Sequence, residues 1–201
     1  NARSQQIAAT LGLGDATGAK QCLGCHATPA GSGAQGVRFL TQDGIGCEAC
    51  HGAAGGWIAS HYAVGASHAA NVSRGMKPLE KPIARASVCL DCHFGSDRDG
   101  QFVSHRLMAA GHPRIAFELD LFSAMQAHHD EDADYIARKG RTDGVAMWAT
   151  GQAMALERSL ALYAGPRGTE GAFPEFYFFD CHSCHRRISD QEARVKTWEA
   201  N

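Results

Sequence analysis

The sequence predicts a mainly α-helical fold with extensive loops, and three observations carry that prediction. Two segments repeat apolar residues at three- and four-residue steps, the spacing of one helix face. No stretch sustains the two-residue alternation of a half-buried strand. The eight cysteines fall into four short motifs of one pattern, set among glycine-rich stretches with little periodicity. At 201 residues the chain is long enough to bury a sizeable core. It has few periodic segments to line one, so something other than side chains is expected to fill much of the interior.

The motifs say what that filling is. They read Cys22-Leu-Gly-Cys25-His26, Cys47-Glu-Ala-Cys50-His51, Cys89-Leu-Asp-Cys92-His93 and Cys181-His-Ser-Cys184-His185. C-x-x-C-H is the attachment signature of c-type haem: two thiols add across the porphyrin vinyl groups and the adjacent histidine ligates the iron. The alternatives fit less well. A Cys₄ zinc site needs no histidine after each second cysteine, and a thioredoxin-like redox pair needs a single motif beside a βαβ pattern. The expectation is four covalently bound haems, a multihaem cytochrome c, with Cys22, Cys25, Cys47, Cys50, Cys89, Cys92, Cys181 and Cys184 as attachment points. His26, His51, His93 and His185 are the proximal ligands. No cysteine is left for a disulfide.

The remaining elements follow in chain order. Residues 29–46 and 53–81 are rich in glycine and read as loops wrapping haem edges. One helix is expected from Pro113, well suited to a first turn, through Ile115, Leu119, Phe122, Met125 and His129. A second runs through Val145, Ala149, Ala153, Leu156, Leu160 and Tyr163 and is closed by Gly165-Pro166. The acidic run Asp130–Asp134 then reads as the link of an antiparallel hairpin. The aromatic run Phe176–Phe179 is expected to pack on a haem rather than form a sheet, and a terminal helix is expected over 189–199. The whole reads as a single multihaem unit over 1–201. Residues 1–104 form a part with three motifs, and 105–201 hold the helical hairpin and the C-terminal haem.

Function turns on the other axial position of each iron. A second histidine makes a low-spin electron carrier, methionine raises the potential, and an open position admits a small ligand. Seven histidines lie outside the attachment positions. His61, His105, His112 and His129 are the leading distal candidates, followed by His128 and His68. Each has a plainer reading as a surface or core histidine. If the stretch between them is helical, His105 and His112, seven residues apart, face the same way and could serve neighbouring haems or one haem and its propionate, although His112 also suits a capping role before Pro113. His182 lies inside the fourth motif, turned away from its own iron. Met76 and Met108 are possible ligands whose ordinary role is packing. Arg38, Arg85, Arg106 and Arg114 suit haem propionates, because a guanidinium matches a carboxylate in two bonds. The first haem is the candidate for an open position, since no histidine follows His26 before the second motif.

At Gly44-Ile-Gly-Cys47-Glu-Ala-Cys50-His51-Gly52 the sequence resembles the tetrahaem cytochrome c-554 family. Cys22–His26, the third motif with His93, and His105-Arg-Leu-Met-Ala-Ala-Gly-His112-Pro-Arg followed by Phe117-Glu-Leu continue the likeness, over about half the chain. The resemblance implies close-packed haem pairs passing electrons along a chain of irons, in service to a larger respiratory redox enzyme. It also implies that one haem can be five-coordinate while the others are bis-histidine, and that His61 matches a family distal ligand. The order of motifs departs from the family's: here the closely spaced pair comes first and the extra motif last.

Composition sets the outer limits. Nineteen basic against 21 acidic residues give no charge excess for binding nucleic acid. No apolar run approaches the ~20 residues of a membrane span. Haem attachment takes place outside the cytoplasm, so a periplasmic or otherwise extracytoplasmic location is expected. Asn1–Leu13 lacks the basic start and apolar centre of a signal peptide, which reads as a processed form or a fragment. The leading functional expectation is an electron carrier working with a redox partner, either a periplasmic oxidoreductase or another cytochrome. One alternative is a haem enzyme with an open iron acting on nitric oxide, nitrite or hydroxylamine. The other is an electron-transfer subunit of a larger multihaem complex, marked by an exposed apolar face on the 113–129 or 145–163 helix.

Overall fold

The longest element shows how this chain uses its apolar residues. In the computed structural model, which describes residues 1–29, 35–171 and 174–185, a helix spans Gly144–Ala164 and starts where Asp143 accepts from the Val145 and Ala146 amides. The preceding helices, in chain order, are α1 Ala2–Leu11, α2 Lys20–His26, α3 Cys47–His51, α4 His68–Ser73, α5 Pro82–His93, α6 His105–Ala109, α7 Leu119–Met125 and α8 Ala133–Lys139, which makes the longest one α9. Short 3-10 turns occupy Thr41–Asp43, Ala54–Gly56, Pro166–Thr169, Phe176–Phe178 and Cys181–Ser183. No strand occurs among the described residues.

The face that α9 buries is its small-residue face. Met147, Gly151, Ala155 and Leu162 point inward against α5 and α7. A Cβ on Gly151 would stand 2.6 Å from the Leu119 Cβ, so α7 rests directly on the glycine. Ala86, Leu90, Leu119, Met147 and Ala155 form one core, with Cys89, Phe94, Phe117 and Met154 packed against it. A second, smaller core joins Ile7 of α1 to Val103 and Leu107, with Met108 against it. Arg3 adds a bond to the Gly111 carbonyl at 2.7 Å, so the N-terminal helix clamps the 103–111 segment. Among the described residues these two clusters make up the apolar core.

The stripe counted in the sequence is the outer face of α9. Val145 is 76% exposed, Leu156 62%, Leu160 58%, and Trp148 and Tyr163 about half. This helix therefore presents an exposed apolar face.

The expected 113–129 helix is much shorter. Residues 113–118 are not helical, and α7 starts only where Glu118 accepts from the Asp120 and Leu121 amides. It ends at Met125, which leaves His128 and His129 beyond its C-terminus and His129 off the stripe. The physical reason lies in what the 113–118 stretch does: it lays Phe117 on the core and offers the Ala116 carbonyl to the His93 ring. The acidic link carries a helix of its own. Asp132 caps α8 by accepting from Tyr135, so the hairpin of two long helices is replaced by α7, α8 and α9 in series. The aromatic run is a 3-10 turn. The terminal helix expected over 189–199 lies outside the described residues.

Candidate haem sites

The first three motifs each end a helix. His26, His51 and His93 are the last residues of α2, α3 and α5, and a helical turn brings cysteines three residues apart onto one side. The fourth motif is only a 3-10 turn, Cys181–Ser183, with His185 two residues beyond it. All eight cysteines are free, so none has been taken up by a disulfide.

The x-x residues are structural anchors. Leu90 is fully buried in the main core, and Asp91 pairs with Arg98 and, at 3.1 Å, with Arg158 of α9. Gly24 of the first motif lies against Gly100, and Gln101 donates to the Gly24 carbonyl at 2.8 Å. The first and third motifs thus abut. The Cys25 and Cys92 thiols are hydrogen-bonded to each other, which lifts Cys25 above the ordinary range and holds Cys92 below it. Burial pushes the Cys50 thiol up, with a contribution from Cys92. Cys89 is pushed up to about 11, first by burial and then by Cys50.

Three of the four motif histidines face a second histidine. The rings of His26 and His112 are 6.2 Å apart, and those of His105 and His185 6.1 Å. His51 stands 6.1 Å from His128 and 5.9 Å from His129, and the ligand atoms of these three lie within 4.8 Å of one another. Two imidazoles sharing one metal ion, each bonded to it at about 2 Å, hold their ring centres roughly 6 Å apart. The separations therefore fit an iron between each pair. Burial, ahead of neighbouring charge, lowers the pKa of His51, His112 and His129, which favours the neutral imidazole that a metal binds.

Two ring orientations are fixed in the way ligands are fixed. The Nδ1 of His112 lies 2.8 Å from the Pro113 carbonyl and that of His128 2.6 Å from the Gln126 carbonyl. Donation from Nδ1 leaves Nε2 free to bind a metal. His112 therefore does not cap a helix. His105 and His112 do not share a helix face either, because α6 ends at Ala109 and Gly111 follows at φ +111°. Each instead turns to a different motif.

His93 is different. Its Nδ1 is 3.0 Å from the Ala116 carbonyl, and its ring lies against Phe122 at 5.0 Å and Phe117 at 6.1 Å. No histidine ring is paired with it among the described residues, which include all eleven histidines. Among the motif histidines it is thus His93, and not His26, that no histidine ring faces. The His26 partner comes from a segment that α1 clamps alongside, which is invisible to a search of the residues just after His26.

The other candidates lie apart from the motif histidines. His61 packs on Trp57 at 5.7 Å and Tyr62 at 5.1 Å, with Nδ1 2.6 Å from the Ile58 carbonyl. His68 Nε2 is 3.1 Å from Glu80 Oε2, an ion-pair distance without hydrogen-bond alignment. His182 lies 3.6 Å from Asp180. Met108 packs on the smaller core. Of the arginines, Arg114 donates to Cys181 Sγ at 3.2 Å and Arg85 to the Leu79 carbonyl at 2.7 Å. Arg106 lines an open cavity beside Phe102 and Arg167, and Arg38 is exposed. One donor was missed in the sequence: Trp57 Nε1 is buried with no hydrogen-bond acceptor among the described residues.

A family model described as cytochrome c554 and c-prime matches residues 1–52. Over that stretch, this chain resembles the cytochrome c554 family. The match takes in the first two motifs and stops at Gly52, so the third and fourth lie outside it, with His105–Arg114. No curated protein and no solved structure matches. With the motifs, the match supports a c-type cytochrome with covalently bound haem that takes part in electron transfer. Among the described residues no helix is long and apolar enough to cross a membrane.

Proposed function

We propose that this chain is an extracytoplasmic tetrahaem cytochrome that relays electrons between a redox enzyme and another carrier. The observation that carries it is the approach of a second histidine to about 6 Å from His26, His51 and His185. In this reading His112 completes the His26 site, His128 or His129 the His51 site, and His105 the His185 site. The eight motif cysteines hold the porphyrins. Bound haem supplies a reversible one-electron change at iron. The protein's part is to saturate three irons with nitrogen ligands, so that little rearranges on electron transfer. The abutting first and third motifs keep two of the sites adjacent.

A second reading is favoured by His93. With Phe117 and Phe122 against its ring and no histidine facing it, the third site is the one suited to binding a small ligand such as nitric oxide, nitrite or hydroxylamine. The two readings are compatible, with three sites conducting and one accepting a ligand. The outward stripe of α9 also suits an electron-transfer subunit seated in a larger complex, which sizing of the holoprotein tests.

The deciding experiment is electron paramagnetic resonance of the oxidised holoprotein with and without cyanide or nitric oxide. Three low-spin irons plus one high-spin iron that alone responds to added ligand is the expected result. Four low-spin irons indifferent to ligand would leave pure electron transfer. Several high-spin irons would overturn the ligand pairing.

A further inference from the structure

The fourth motif lacks a helix to hold it, yet His185 faces His105 as closely as the helical motifs face their partners. What fixes this pair lies one turn upstream, at Glu175. It is 3% exposed, and among the described residues it is the one acidic residue that is buried. A carboxylate is buried only where hydrogen bonds replace water. Oε1 accepts from the His105 amide at 2.5 Å and Oε2 from the Tyr177 amide at 3.1 Å. The Glu175 amide in turn donates to the Gly168 carbonyl at 2.9 Å, which anchors the residue on the turn that follows α9.

The His105 amide is one of the orphan donors of the first helical turn. Ser104 caps α6 through Leu107 and leaves the His105 donor to Glu175. The next residue, Phe176, lays its ring edge-on to the His105 imidazole at 5.4 Å. Glu175 thereby fixes the backbone of His105 while its neighbour fixes the ring. Through Tyr177 it also sets the turn that leads into Cys181–His185.

We infer that Glu175 is the positioning residue that holds His105 on the iron of the His185 site. The inference rests on the reading of His105 as the ligand opposite His185. Glu175 does not touch the iron; it acts through the His105 amide. Alanine at 175 frees that amide and the turn together. Glutamine keeps one oxygen acceptor in place, and aspartate keeps the charge but falls short of the His105 amide.

The test is paramagnetic resonance and cyanide titration of holoprotein carrying H105A, E175A, E175D and E175Q, with haem content measured for each. H105A is expected to convert one low-spin iron to a high-spin, cyanide-reactive one. E175A is expected to convert the same iron in part, E175D likewise, and E175Q to restore the low-spin signal, with the other low-spin signals unmoved throughout. If E175A does not mature, E175D and E175Q decide. A high-spin signal in H105A with wild-type spectra in E175A or E175D would overturn the role of Glu175. Wild-type spectra in H105A itself would instead overturn the assignment of His105.

Discussion

Gln101 donates from Nε2 to the Gly24 carbonyl at 2.8 Å, tying the loop after the third motif to the interior of the first. Gln101 is itself buried and held by Ser96, whose hydroxyl donates to Oε1 at 2.7 Å. The approach depends on two glycines, since a methyl group on Gly24 would overlap the Gly100 carbonyl, and Gly100 sits at φ +75°. Overpacking of this kind costs about 1–3 kcal/mol. Gly24→Ala is therefore expected to lower the Tm of the holoprotein, whereas Gly55→Ala, with nothing within 4 Å of its added carbon, is expected to leave it unchanged. Thermal melts followed at the Soret band compare the two, and equal melts would show that the motifs do not dock through this contact.

A second prediction separates a half-buried ion pair from a surface one. Asp91 and Arg158 meet at 3.1 Å with side chains 30% and 19% exposed, and Arg158 also donates to the Gly95 carbonyl at 2.7 Å. Lys20 and Asp99 meet at 3.4 Å with both side chains more than three-quarters exposed. Asp91→Ala leaves a partly desolvated guanidinium unpaired and is expected to cost roughly 1–3 kcal/mol. Lys20→Ala is expected to cost about 0.5 kcal/mol or less and to be masked by salt. Urea titrations at low and high ionic strength read both.

These contacts mark how far the sequence reaches. Cys22 to His26 and its three counterparts are readable because attachment chemistry demands a local pattern. The histidines that face them are not, because setting His112 against His26 depends on α1 clamping residues 103–111, a relation no local spacing encodes. The α9 stripe was legible as helix but misleading about burial. Periodicity counts large side chains such as Leu156 and Leu160, whereas close packing here selected Gly151 and Ala155, where α7 and α5 approach. The helix expected from Pro113 failed for a related reason: Phe117 and Ala116 are more use to the His93 site in non-helical backbone, and Glu118 caps a later start.

Two histidine rings face His51 of the second motif. His128 and His129 both stand about 6 Å from His51 and 4.1 Å from each other. Only His128 has its Nδ1 set against a backbone carbonyl, the arrangement that presents Nε2 to a metal. His129→Ala is expected to leave the low-spin spectrum unchanged. His128→Ala is expected to stay low-spin with altered g-values, as His129 takes the position, and the double variant to become high-spin. A high-spin iron in His129→Ala alone would reverse the assignment.

The last prediction sets the paired histidines against those that face no motif. His112 reaches the His26 ring from across the fold, whereas His61 packs on Trp57 and Tyr62 and faces no motif histidine, and His68 lies against Glu80. His112→Ala is expected to open one iron, giving a high-spin signal and a new cyanide-binding site. An imidazole donor stabilises ferric iron more than ferrous, so the same variant is expected to raise the reduction potential of one haem in a spectroelectrochemical titration. His68→Ala is expected to keep every low-spin signal and all four potentials, and to lower stability by about 1 kcal/mol at most through loss of the Glu80 pair. His61→Ala is expected to keep the spectrum as well. The resemblance to the cytochrome c554 family implies the opposite for His61, so a high-spin iron in that variant would mean that the family's ligand is used here, and that the rings around His61 give way when haem is bound.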